Sequence, residues 1–109
     1  MITKRFSDDM YQRLQQMPRF FEVKADFFGV PIKAPDAASL VFLNRELFGQ
    51  EIYKFQTDSE IPYILDCGAN IGLSVIYFKK LFPNAKIVAF EPDKKIFDYL
   101  KFNINSFGF

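Results

Sequence analysis

Residues 63–72, YILDCGANIG, contain a short apolar run that leads into a glycine-containing turn. The run Tyr63-Ile64-Leu65 is short and continuous, which is typical of a strand covered on both faces. The segment from Gly68 to Gly72 is predicted to be a loop. A helix is expected next, because apolar residues recur at helical spacing at Ile71, Val75, Phe78 and Phe82.

The same order of strand and helix follows once more. Lys86 to Phe90 form a second apolar strand, and Pro92-Asp93 is a typical helix start. The predicted helix has one apolar face, and Gly108 lies near its end; the face consists of Ile96, Phe97, Leu100, Ile104 and Phe107. A β-α-β-α order predicts an α/β fold with a parallel sheet.

The residues before this unit predict a helix followed by a hairpin. Ser7 precedes two acids and is a good helix cap, with Met10, Leu14 and Met17 on the apolar face and Pro18 at the end. Alternation between residues 20 and 28 predicts a strand, and Gly29 turns it into a second strand at Val30–Ala34.

A further helix is predicted to begin at Asp36 or Ser39, with Leu40, Leu43 and Leu47 on one face. Gly49 is placed to end this helix in the left-handed conformation. The polar residues 56–59 form the best linker candidate. The sequence therefore predicts an N-terminal helical and hairpin lead-in at residues 1–58 and a second unit at residues 59–109.

Composition excludes several functional classes. The 109 residues contain no histidine and one cysteine, so neither a Ser-His-Asp triad nor a histidine metal site can form. Cys67 is predicted to be a small buried residue and not a nucleophile, because no histidine can activate it. The net charge of +1 argues against a nucleic-acid partner, and the apolar runs are too short for a membrane span. The N-terminal stretch has no apolar region of the signal-peptide type, so a cytoplasmic location is expected.

The candidate site lies where the two predicted strands end. A tight turn into a helix is expected to leave backbone N–H groups free, and glycine lets a ligand approach the main chain. Glu91 comes 23 residues after Gly68, at the end of the next strand, where a carboxylate can bind both hydroxyls of a ribose. The expected ligand is a cofactor that contains a nucleoside.

The loop distinguishes between nucleoside cofactors. Asn70 and Leu73 stand where a dinucleotide-binding loop would have its second and third glycines. Gly-Ala-Asn-Ile-Gly followed by Ala-Phe-Glu-Pro-Asp is similar to the S-adenosylmethionine loop of class I methyltransferases, and in detail it resembles the FkbM family. Asn70 replaces a glycine of the general loop and is the other residue that best tolerates positive φ.

This resemblance covers about residues 60–109 and implies a Rossmann-like fold, S-adenosylmethionine as cofactor and methyl transfer to a hydroxyl of a small molecule or sugar. By position, Gly68, Ala69, Asn70 and Gly72 would line the methionine end of the cofactor. Glu91 would hold the ribose, Pro92 and Asp93 would lie near the adenine, and Asp66 would order the loop and could face the cofactor's amino group.

Other interpretations remain open. The glycine loop alone could be a packing feature, and Asp66 could simply cap it. A class I methyltransferase domain has about seven strands, whereas two parallel strands are predicted here, so the chain is expected to be the N-terminal part of such an enzyme. The catalytic residues would then lie beyond Phe109. The alternatives are a non-catalytic or partner-dependent binding module and, less favoured, an NAD-dependent oxidoreductase. Self-association is expected if apolar strand surfaces stay uncovered.

Overall fold

The computed structural model describes residues 5–109, so the start of the N-terminal stretch, Met1 to Lys4, lies outside the described residues. Helix α1 (Asp8–Gln16) begins as predicted, with the Ser7 hydroxyl accepting a hydrogen bond from the Met10 N–H at 3.1 Å. Strands β1 (Val23–Phe27) and β2 (Val30–Ala34) then pair antiparallel. The predicted alternation is confirmed within β1, because Val23, Ala25 and Phe27 are all buried.

Helix α2 (Ala37–Asn44) begins at Asp36, whose carboxylate accepts hydrogen bonds from the Ser39 N–H and hydroxyl. The prediction that Gly49 ends this helix in the left-handed conformation is wrong. The helix continues as a π-helical segment (Arg45–Gly49), and the left-handed residue is Glu51, which has a φ of 51°. The wider turn moves the chain reversal past Gly49, because the Gln50 N–H still donates to the Arg45 carbonyl.

The second half contains the predicted β-α-β-α order. It consists of β3 (Tyr63–Cys67), α3 (Leu73–Leu81), β4 (Lys86–Phe90) and α4 (Lys94–Ser106). β3 and β4 pair in parallel, with Tyr63 opposite Lys86 and Cys67 opposite Phe90. The α/β class and the parallel pairing are therefore confirmed, and the carboxyl ends of both strands lie side by side.

The two-stranded parallel sheet is covered on one face. Ile87 and Ala89 pack against a buried cluster that includes Val75 of α3 and Leu100 of α4. The opposite face is exposed, and its apolar side chains are Tyr63, Leu65, Val88 and Phe90. The expectation that the strands are buried on both faces is thus wrong for this chain, because both helices pack on the same side. Cys67 lies on the open face and is exposed, which corrects its prediction as a buried residue.

One buried apolar cluster contains residues from both sides of the predicted boundary at residue 58. Phe27, Ile32 and Leu40 from the lead-in pack in the same cluster as Ile71 and Ile76. Hairpin strand β2 also contacts α4. The lead-in therefore packs against the glycine loop and its helices, which brings lead-in residues to the edge of the candidate site.

Candidate functional site

The turn between β3 and α3 has the backbone conformation that its residue types predict. Gly68, Asn70 and Gly72 all have positive φ, at 79°, 53° and 97°. Asn70 thus occupies a left-handed conformation, as expected for the residue that replaces glycine in this loop.

Four of the five N–H groups of this loop, those of Gly68, Ala69, Asn70 and Gly72, are used within the chain, contrary to the expectation that they are free. Both Gly68 and Ala69 donate to the Phe90 carbonyl, at 2.8 and 2.9 Å, and Gly72 donates to the Ala69 carbonyl at 3.0 Å. The Asn70 N–H donates to Glu91 Oε1 at 2.9 Å. The bonds to Phe90 and Glu91 arise because the end of β4 lies beside the loop. They fix the loop's shape before any ligand is present.

Glu91 connects the loop to the start of α4. Its second carboxylate oxygen accepts a hydrogen bond from the Asp93 N–H at 3.1 Å. Asp93 caps α4 by accepting from the N–H groups of Lys95 and Ile96. Glu91 is partly exposed and Pro92 is exposed. The structure thus brings Asn70, Glu91 and Asp93 together, and each Glu91 oxygen retains a lone pair for a further donor.

The two outer glycines of the loop differ in their surroundings. A Cβ at Gly68 would meet no atom within 4 Å, whereas a Cβ at Gly72 would lie 3.0 Å from Leu100 Cδ1. A side chain at Gly72 would therefore crowd Leu100 of α4, in addition to the strain of its positive φ. Gly68 borders open space, which leaves its backbone accessible to a ligand.

Asp66 is buried and accepts a hydrogen bond from the Ser74 hydroxyl. This bond joins the end of β3 to the first turn of α3, across the glycine loop. The predicted ordering role fits this contact. The role of Asp66 toward a cofactor amino group stays a prediction.

A small cavity of about 180 Å³ lies between the glycine loop and the lead-in. Its loop side is formed by Gly68, Ala69 and Asn70, and its lead-in side includes Glu46 and Tyr53. The remaining lining residues are Leu43, Leu47, Ile52, Leu73 and Ser74. The volume is below the roughly 300–1,000 Å³ of a complete ligand pocket, so the cavity can take one end of a larger ligand.

Sequence reasoning did not identify the lead-in residues of this cavity. Glu46 is half-buried in the π-helical segment, and no sequence pattern signals that helix type. The apolar spacing of Leu43 and Leu47 was recognised as a helix face. The sequence placed this helix and the glycine loop in two separate units, so it did not predict that the helix face would contact the loop.

Asn103 is a second residue that the sequence did not single out. It lies on α4, is fully buried, and donates from Nδ2 to the Ile71 carbonyl at 2.7 Å and to the Lys33 carbonyl at 2.9 Å. Its Oδ1 accepts from the Lys33 N–H at 2.7 Å. Asn103 therefore holds the glycine loop, α4 and the hairpin together.

Tyr77 and Asp36 are two of the ionisable groups in or beside the lead-in whose pKa values are shifted. Burial, together with the hydrogen bond that Tyr77 donates to Glu51, raises the pKa of Tyr77 to about 12. The Arg19 guanidinium beside Asp36 holds the pKa of that carboxyl well below its usual value. At neutral pH Tyr77 is thus a neutral hydrogen-bond donor and Asp36 a charged anchor, and neither lines the cavity.

Among residues 5–109 no group of histidine, cysteine, aspartate or glutamate side chains is arranged to hold a metal ion. Over the same residues, none of the helices has the length and apolar character needed to cross a membrane.

Comparison with known proteins indicates one kind of enzyme. The chain is 41% identical over 63 residues to Methyltransferase sdnD of Sordaria araneosa, a match that covers 58% of this chain and 24% of that protein. It is 29% identical over 79 residues to Methyltransferase 1 of Beauveria bassiana (strain ARSEF 2860), covering 72% of this chain and 32% of that protein. No family model matches the chain. The chain thus spans about a quarter to a third of the length of these relatives, and the similarity supports a methyltransferase relationship.

Proposed function

We propose that this chain is the cofactor-binding part of an S-adenosylmethionine-dependent methyltransferase of the FkbM type. The observation that carries the proposal is the loop itself, with Gly68 facing open space at positive φ and Glu91 hydrogen-bonded beside it. The similarity to two proteins named methyltransferases supports the same reaction class.

The residues present fit this cofactor in chemistry and in placement. The open approach at Gly68 suits close contact between a ligand and the main chain. Glu91 has acceptor capacity left for the ribose hydroxyls. The cavity beside the loop has room for an amino-acid end, while the exposed Pro92 and Asp93 border the side on which an adenine would lie.

In this proposal Gly68, Ala69, Asn70 and Gly72 shape the surface under the methionine end, and Asp66 keeps that surface ordered through Ser74. When bound, S-adenosylmethionine supplies a methyl group that its sulfonium already makes electrophilic. The contribution of the protein is therefore mainly to orient the donor and to exclude water. The acceptor would be a hydroxyl of a small molecule or sugar, in the cytoplasm, with the acceptor pocket provided by parts of a longer enzyme.

Equilibrium binding tests the proposal. We expect the chain to bind S-adenosylmethionine and S-adenosylhomocysteine, and to bind NAD more weakly, because Asn70 and Leu73 replace two glycines of a dinucleotide loop. Isothermal titration calorimetry with the three ligands measures this order. Preference for NAD would favour an oxidoreductase, and absence of binding to all three would favour a structural or partner-dependent module.

A further inference from the structure

The lead-in brings one acidic side chain to the cavity beside the glycine loop. Of the described residues that line this cavity, Glu46 carries the only formal charge. Glu46 belongs to the π-helical segment, whose Leu47 is buried in the core. The position of the carboxylate is thus set by a packed element and not by a free loop.

Glu46 has no cationic partner within residues 5–109. The ion pairs of that part of the chain join Arg19 to Asp36, Lys54 to Glu51, and both Lys94 and Lys101 to Asp98. No hydrogen bond of the Glu46 side chain occurs there either. A half-buried carboxylate without a partner, at the wall of a cavity, is suited to a cationic ligand group.

Asp66 is less suited to that task. Its carboxylate is buried, is bonded to the Ser74 hydroxyl, and does not line the cavity. The amino-acid end of the proposed cofactor has one ammonium and one carboxylate group. Glu46 would attract the first and repel the second, which selects one orientation of that end.

We propose that Glu46 binds the ammonium group of the methionine end of the cofactor and thereby acts as a positioning residue contributed by the lead-in. This inference rests on the proposed function. It adds a role for a residue outside the stretch that resembles a methyltransferase loop.

The test compares two ligands that differ at this end. S-adenosylhomocysteine carries the amino-acid group, whereas 5′-methylthioadenosine keeps the adenosine and thioether but lacks it. Glu46→Gln is expected to weaken binding of S-adenosylhomocysteine about tenfold, the lower end for a hydrogen bond to a charged group at a partly exposed site. Binding of 5′-methylthioadenosine by the same variant should be unchanged. Glu46→Lys should weaken S-adenosylhomocysteine further, because it replaces attraction by repulsion.

Glu60→Gln is the matched control, because it removes the same charge from an exposed residue that does not line the cavity. Titration calorimetry gives the affinities, and thermal unfolding checks that each variant is folded. Equal affinity of Glu46→Gln and the unsubstituted chain for S-adenosylhomocysteine would overturn the inference, as would equal weakening of both ligands. If the unsubstituted chain binds neither ligand, the proposed function fails and the inference fails with it.

Discussion

At the residue scale, the three positive-φ positions of the loop have different tasks. Gly68 and Gly72 are both needed for backbone conformation, but Gly72 also leaves room for Leu100. Sequence reasoning predicted the turn and the tolerance of Asn70 for positive φ, because both follow from local sterics. The packing demand on Gly72 depends on where α4 lies, and no local pattern contains that information.

We expect Gly68→Val to abolish cofactor binding, because a branched Cβ enters the space through which the ligand would approach. Gly29 provides a matched control, since it also has positive φ (77° against 79°) and no atom within 4 Å of a Cβ. Gly29→Val should lose about 1–2 kcal/mol of stability, the cost of a left-handed conformation for a residue with a side chain. It should still bind the cofactor normally. Asn70→Gly should have a mild effect. Normal binding of S-adenosylhomocysteine by Gly68→Val would contradict contact between the loop and the cofactor.

Glu91→Ala should weaken cofactor binding by about 1.5–3 kcal/mol, the range for hydrogen bonds to a charged group. The same change also frees the N–H groups of Asn70 and Asp93, so part of the loss would come from the loop. Glu91→Gln separates the two effects, because its amide oxygen can keep one of those bonds. Calorimetry with S-adenosylhomocysteine measures affinity, and unfolding in urea measures stability. Unchanged affinity in a folded Glu91→Ala variant would rule out the ribose assignment.

At the element scale, the spacing of apolar residues predicted the strands and helices well, and the π-helical segment was missed. β2 and β4 have the predicted bounds, because glycine or proline stands close to both ends of each. The π-helical conformation of Arg45–Gly49 was not predicted, because apolar spacing cannot distinguish a π-helical continuation from the end of an α-helix. For the same reason the sequence did not predict that the Glu46 carboxylate lies at the site. Asn103 was missed for a related reason, since its partners Lys33 and Ile71 lie far away in sequence.

Asp36 fixes the start of α2, and through it the element that leads to Glu46. Its carboxylate accepts from Arg19, from the Phe20 N–H and from Ser39. Asp36→Asn should lower the free energy of unfolding at pH 7 by about 1–2 kcal/mol, because the charge is lost while the cap is partly kept. Asp36→Ala should cost more.

The pH dependence of this effect has a defined sign. Because the folded-state pKa of Asp36 lies below its usual value of 3.8, the charged group stabilises the fold above about that pH. The contribution is lost as the pH falls toward the folded pKa. The difference in unfolding free energy between the unsubstituted chain and Asp36→Asn should therefore shrink below about pH 4. Urea unfolding across that range measures it, and a constant difference would contradict the charged anchor.

At the scale of the whole molecule, the main feature is the uncovered apolar face of the parallel sheet. Tyr63, Leu65 and Phe90 are 66%, 59% and 51% exposed on that face. The sequence indicated that too few strands are present for a complete methyltransferase sheet. In the structure Leu100 is buried, and Phe97, Ile104 and Phe107 are half-buried. The missing cover therefore affects the sheet more than the helix.

We predict that the chain alone has no methyltransferase turnover and associates with a second copy of itself through this open sheet face. Each large apolar side chain gains roughly 1.5–3 kcal/mol on full burial, a sizeable share of the 5–15 kcal/mol that stabilises a domain. The unpaired edges of a two-stranded sheet add hydrogen-bonding groups to the same surface. Size-exclusion chromatography with light scattering measures the association, and a methyl-transfer assay measures turnover.

Substitutions on and off the open face distinguish association through that face from nonspecific association through other exposed apolar side chains. Leu65→Ser removes an exposed side chain from the centre of the face and should shift the chain toward the monomer. Phe42→Ser is the matched control, because Phe42 is similarly exposed, at 55%, but lies on α2. The control should leave the oligomeric state unchanged. If both variants associate like the unsubstituted chain, the open face is not the surface through which the chain associates. If the unsubstituted chain is a cooperatively melting monomer with measurable turnover, the whole prediction is wrong. The two strands would then form a sufficient sheet, which their one-sided burial argues against.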